Sequence, residues 1–394
     1  YKSIIIKSIV RLLYTFFERQ TRETVGRKLM REENKQMRIL SAIGMILVVA
    51  GHLGYSLFDV GGLFPYYSFH VFIFLFVSGY FYRKEAEQRL LRYIGKKCKA
   101  LLLPYFIWNV VYGILTVLLH RTGFSIGGEL TLWNLFIEPF VSGHQFLYQF
   151  PAWFVPALFL IEVLNVLGRK VLAFLHLKKE WLIFTVCLLL GIATVALAKG
   201  GHVWGYYKFP GRLLFMMPGF QLGRIYKEKL ENRVNKISDG RYFFVVVGVQ
   251  LLTTICCRGL AFSAVWVTGF ANAAFIPYLT VVTGIAFWLR ISDWISRIPS
   301  ACSWFMEIGR HTYAIMMHHM FWFFVVNSIC YLLSRTTVWC AEFDTAQFFS
   351  DINYVYAIGG SDVGKWFYLA LGTEMPLLLA NGTQYIVGKK ISRK

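Results

Sequence analysis

Residues 38–83 read RILSAIGMILVVAGHLGYSLFDVGGLFPYYSFHVFIFLFVSGYFYR. Two apolar runs are visible, with His52 near the end of the first and His70 near the start of the second. The loop between them holds no Lys or Arg, whereas basic residues crowd both outer flanks, so the pair predicts a transmembrane hairpin. Both histidines then fall at the same end of the hairpin, where an ionisable imidazole is costly unless it meets water, a partner or a substrate. This is the expected place for chemistry, and His52 is its leading candidate as a base.

Working outward, the whole chain has the same character. Of its 394 residues 57% are hydrophobic and only 16% charged, against about 25% in a soluble domain. The net charge of +20 invites a nucleic-acid reading, but its distribution excludes it. Lys and Arg number ten in 1–38, seven in 83–99, four in 168–180, six in 224–241, three in 290–310 and four in 389–394, while the alternate loops hold one or two each. That alternation is the positive-inside pattern and predicts both termini in the cytoplasm. Apolar runs near 39–57, 65–82, 100–120, 151–168, 181–199, 210–226, 242–258, 268–290, 311–334 and 365–388 predict an all-α, polytopic membrane bundle of about ten transmembrane helices. Residues 1–38 read as a cytoplasmic or interfacial amphipathic segment and 39–394 as the transmembrane domain. The seven cysteines have no metal-ligand spacing, so no metal is expected; only Cys330 and Cys340 bracket a helix end as a candidate pair.

The run AIGMILVVAGH followed by SFHVFIFLFVSGYFY resembles the opening of the acyltransferase-3 family of integral membrane O-acyltransferases. Its first helix ends in a His and its second carries a Phe-rich run closed by Ser-Gly. The family commonly has a basic residue eleven positions before that His; here Ser41 stands there, and Arg38 lies about one turn earlier. The resemblance implies a transferase, in particular an O-acetyltransferase, of a bacterial plasma membrane. It would take an acyl group from acetyl-CoA or another acyl-CoA and pass it to a hydroxyl of a glycan or glycolipid acceptor, a cell-surface polysaccharide or its lipid-linked precursor. Membrane lipids are then partners, nucleic acid is not, and a homo-oligomer is left open.

Site residues follow from these two lines together. His52 would take the hydroxyl proton, and His70 would orient it, bind the acceptor or simply mark the interface. Ser78-Gly79 reads as a close helix contact rather than a nucleophile. The basic loop ahead of LLLPYF offers Arg83, Lys97 and Lys99, with Arg38 and Tyr105, to the phosphates and body of coenzyme A, although any cytoplasmic loop is basic for topology alone. On the acceptor side the candidates are Trp153 in PAWFVPALFLIEV, Glu162 and Arg212 as one ionisable pair inside spans, and either His318 or His319 in GRHTYAIMMHHMF. The last two point about 100° apart on a helix, so only one is expected to face the interior. A reading from another class, a secondary transporter or flippase with His52, His70 and Glu162 as a proton relay, leaves the basic run before Leu-Pro-Tyr unexplained.

Overall fold

A computed structural model describes residues 33–58, 62–177, 179–205, 208–360 and 362–391. The interfacial helix expected within 1–38 lies almost wholly outside them. Among the described residues the fold is all-helical, with one isolated bridge between Ser263 and Thr268. The main helices are α1 (Lys35–Gly51), α2 (His70–Tyr80), α3 (Leu103–His120), α4 (Phe154–Phe174), α5 (Glu180–Lys199) and α6 (Lys208–Ile225). They continue as α7 (Asp239–Cys256), α8 (Ile276–Ser296), α9 (Pro299–Arg310), α10 (Thr312–Thr336) and α11 (Val363–Ile391). A helix coincides with each expected apolar run. Among the described residues five segments are long and apolar enough to cross a membrane: Leu90–His120, Leu147–Phe174, α5, α7 and α10. The others are too short, as α2 is, or carry charge and proline, as α6 does with Arg212 and Pro218.

α1 is the axis of the bundle. Asn34 caps its start, accepting from Met37 N–H. Its residues from Met37 to Ala50 are largely buried, packed among α2, α8, α9, α10 and α11. α5 and α7 instead expose Leu189, Phe244, Leu252 and Ile255, the composition of a lipid-facing surface. The tightest approach joins α2 to α6. A Cβ built on Gly79 would stand 1.9 Å from the Phe220 carbonyl oxygen, and one on Gly223 would stand 1.9 Å from that of Phe76. The Ser-Gly element is thus the helix contact that its composition suggested, because only glycine lets two backbones meet this closely.

The polar joints sit at the end of the bundle rich in Lys and Arg. Arg169 of α4 forks onto Glu180 of α5, Nη1 to Oε1 at 3.0 Å and Nη2 to Oε2 at 2.7 Å, and also donates to Asn165 and to Gln221 of α6. Such bidentate geometry ties three helices where each is otherwise apolar. At the opposite end, the segment after α3 turns back along it rather than lying on the surface. Asn109 of α3 donates to the Leu135 carbonyl at 2.7 Å, and Gln145 donates to Asn109 Oδ1 at 2.8 Å. A buried asparagine needs such partners, and it draws the loop inward to supply them. The long segment 337–360 is closed by aromatic packing of Phe343, Phe348 and Phe349 against Tyr331, Phe324 and Phe124. All seven cysteines are free thiols, Cys330 and Cys340 included.

Candidate active site

A cavity of about 520 Å³ opens where α1 ends. His52 is the residue that closes α1, and Gly54 beyond it takes φ +95°, a left-handed conformation that stops the helix. The preceding Gly51 has its own reason. A Cβ there would lie 2.9 Å from the ring of Tyr67, whose hydroxyl donates to the Gly51 carbonyl at 2.8 Å. Glycine therefore lets an aromatic side chain lie against the backbone immediately before the histidine.

Four imidazoles surround this space. His52, His70 and His144 line the cavity. His319 is fully buried behind His52, ring centroids 5.3 Å apart and planes 29° from parallel. Three of the four have a defined tautomer, because a carbonyl can only accept. His70 Nδ1 donates to Tyr66 O at 2.6 Å, His319 Nδ1 to Ile315 O at 2.8 Å and His144 Nδ1 to Ser142 O at 3.0 Å. Each neutral ring then keeps its lone pair on Nε2. His52 has no such tether among the described residues; its ring is held by Phe150, edge-on at 4.8 Å, and by the His319 stack. An imidazole positioned by packing, with both nitrogens uncommitted, is free to take and return a proton. Among the described residues no cluster of His, Cys, Asp or Glu has metal-binding geometry.

The remaining walls divide in two. Met45, Val48, Val71, Phe74, Phe154 and Met316 make an apolar side that reaches toward the basic end of the bundle. Trp153, Trp266 and the run Ser350–Asn353 make the rim at the other end. Trp153, an acceptor-side candidate from the sequence, lines the cavity. Of the two adjacent histidines on α10, His319 faces inward. His318 turns to α3, where its Nδ1 meets the Tyr112 hydroxyl at 2.8 Å and its ring packs on Trp108.

The expected pairing of Glu162 with Arg212 is not formed. Glu162 Oε1 accepts from Lys97 Nζ at 2.7 Å, near the basic end. Arg212 lies beside the cavity and donates to the carbonyls of Val265 at 3.0 Å and Ser142 at 3.3 Å. The two spans run past each other, and the charged groups sit at different depths. Glu162 is also absent from the lining of the cavity that holds His52 and His70. Lys97 is engaged by a buried carboxylate, whereas Arg83 and Lys99 are exposed on the basic face. Tyr105 is buried and accepts from Gln145 Nε2 at 3.1 Å, part of the joint that holds the loop against α3. Arg38 lies about 21 Å along α1 from His52. It donates to the Gly309 carbonyl at 3.3 Å and faces Glu33 at 3.8 Å, clamping α9. Ser41 is buried and bonds back to Met37 O.

Sequence reasoning missed His144, Tyr67, Phe150 and Trp266. His144 sits in a segment with no helical period to place it. The one available signal was its Gly-His pair, as at 51–52: Gly143 takes φ +77° and leaves no room for a Cβ beside Trp153.

With this geometry in view, comparison with known proteins gives one match. A family model described as an acyltransferase domain covers residues 34–370, most of the chain. No curated protein and no solved structure matches. A helical bundle with apolar, membrane-length segments, built around a histidine-lined cavity and matched over that span, belongs to the acyltransferase-3 family of membrane acyltransferases.

Proposed function

We propose that this acyltransferase is an O-acyltransferase, in particular an O-acetyltransferase, that moves an acyl group from acyl-CoA to a hydroxyl of a glycan or glycolipid. The observation that carries the reading is His52, an untethered imidazole in a cavity with an aromatic rim at one end and an apolar wall at the other. The proposal places ten crossings in a bacterial plasma membrane with both termini inside, so that the basic end faces the cytoplasm. Acyl-CoA then arrives at that end, where Arg83 and Lys99 are exposed to meet its phosphates. Its thioester arm passes along the apolar wall, and the acceptor enters at the rim.

In the step itself, one nitrogen of His52 takes the proton of the acceptor hydroxyl as the oxygen attacks the thioester carbonyl. The tetrahedral intermediate collapses to an ester with loss of the CoA thiolate, which receives the proton. Nε2 of His70 accepts a hydrogen bond from the acceptor and fixes its approach. The apolar wall excludes water, which would otherwise hydrolyse the thioester.

The test is acetyl-CoA turnover by the purified protein, followed by release of CoA thiol. His52→Ala should lower the rate by about 100-fold or more. Glycans from cells with and without the protein, compared by mass spectrometry, should differ by one acetyl increment. A purified, folded protein that binds no acyl-CoA would end the proposal.

A further inference from the structure

Just behind the cavity rim, against Trp266 and Trp153, lies charge that the acyl transfer does not use. Lys208 and Arg212 stand four residues apart on the first turns of α6, so their side chains share a face. Both are buried, 5% and 1% exposed; among the described residues no carboxylate lies within ion-pair distance of either, and the nearby Glu138 acts on Lys208 only from further off, its oxygens accepting from Trp133 and Ser142. The Arg212 guanidinium is met by two backbone carbonyls and by the ring of Trp153 at 5.0 Å. The Lys208 ammonium lies 3.5 Å over the ring of Trp266 and 5.2 Å from that of Trp204. Carbonyls and ring faces soften these charges without cancelling them, and like charges at this spacing repel. The missing complement is an anion.

Trp266 is held in place by its own turn. Ser263 and Thr268 pair through both N–H groups, at 2.9 and 3.3 Å, to close a tight hairpin, and Arg212 grips its Val265 carbonyl. Within the turn Val267 takes φ +55°, a strained conformation for a buried β-branched residue and one that persists only where the surroundings impose it. From this platform a file of rings runs to the candidate base. Trp204, 64% exposed, lies 5.9 Å from Trp266, which lies 4.6 Å from His144; Phe150 follows at 5.4 Å and His52 at 4.8 Å.

We infer that the rim is a subsite for an anionic saccharide, a sugar bearing a carboxylate or a phosphate. A sugar face lies on the exposed ring of Trp204, its anion meets Lys208 between Trp204 and Trp266, and the hydroxyl of the neighbouring sugar is led along the ring file to His52. Arg212 is a positioning residue, acting through the hairpin. The inference rests on the proposed acyl transfer only in calling this ligand the acceptor.

The test uses the full chain in lipid nanodiscs and three probes: methyl glucoside, methyl glucuronide and glucose 1-phosphate. Binding is read without donor, as the shift in thermal unfolding midpoint, and turnover as sugar-dependent release of CoA from acetyl-CoA. One or both anionic probes should stabilise the protein and the neutral one should not, the difference between the two anions telling carboxylate from phosphate. Lys208→Met should weaken anion binding about tenfold or more, with Lys208→Arg retaining it. Trp266→Ala should weaken it, with Trp266→Phe partly restoring it. Equal binding of neutral and anionic probes by the wild type, or unchanged binding in Lys208→Met, overturns the inference. So does a rise confined to the acetyl-CoA KM, which would assign the charge to the donor. Charge-selective binding without turnover would leave the inference standing and remove the acyl-transfer reading; turnover without charge preference would do the reverse.

Discussion

The imidazole of His319 is stacked on that of His52, with centroids 5.3 Å apart and planes 29° from parallel, and its own Nδ1 is tied to the Ile315 carbonyl. A ring fixed to the backbone of α10 therefore sets the plane of a ring at the end of α1. An aromatic contact of this kind contributes about 0.5–1.5 kcal/mol, so losing it should cost up to roughly tenfold in rate. His319→Ala should show that loss in kcat with little change in KM, and His319→Phe, which keeps the stack, should recover most of it. If Phe and Ala behave alike, stacking is not how His319 acts.

Lys97 and Glu162 join the start of the long α3 segment to α4 across a buried carboxylate, 2% exposed. Removing only the lysine leaves an uncompensated charge, so Lys97→Met should destabilise the protein by about 3–5 kcal/mol. Lys97→Met with Glu162→Leu should recover most of this. Unfolding in detergent across the double-mutant cycle checks it, and additive losses would contradict it.

Gly79 and Gly223 each face the opposing backbone so closely that a methyl group has no place. Ala at either position forces α2 and α6 apart and should cost about 1–3 kcal/mol or more. Together the two changes should cost less than their sum, since the first already opens the contact. Because His70 begins α2, the same separation should lower turnover in whatever fraction remains folded.

The apolar wall is the expected path of the thioester arm, and Met45 and Met316 lie one to two helical turns toward the basic end from His52 and His319. Met316→Trp should fill that path and raise the KM for acetyl-CoA at least tenfold. Sugar binding at the rim should not change. A rise in sugar KM alone would place the donor's path elsewhere.

At the basic end, Glu307 of α9 accepts from Asn381 of α11 at 2.9 Å and pairs with Arg310 at 3.2 Å, beside His311. Burial raises its pKa, but Asn381, His311 and Arg310 outweigh this and hold it below the usual carboxylate range. A carboxyl with a depressed folded-state pKa contributes stability that is complete above the unfolded value, about 4.3, and is lost as pH falls through the lower folded one. The unfolding midpoint should therefore drop below about pH 4. Glu307→Gln should flatten that drop; an unchanged acid limb would show that the joint does not matter.

The sequence alone determined that the chain is helical and built for a membrane. Runs of apolar residues interrupted by basic loops are local and repeat in one dimension, and the bilayer imposes their length. It also marked His52, His70 and Trp153 as candidates, because an ionisable or aromatic residue at the end of an apolar run stands out without knowledge of its neighbours, and it read the Ser-Gly element as a helix contact, which Gly79 makes. Only the tertiary structure decided partners. Whether His318 or His319 faces inward depends on how α10 is rotated against α1, an angle no spacing along one helix reveals. That Glu162 meets Lys97 rather than Arg212 depends on relative depth in separate helices. His144 and Trp266 reach the cavity because an asparagine on α3 and an arginine on α6 pull irregular segments inward, and such segments carry no period from which their place could be read.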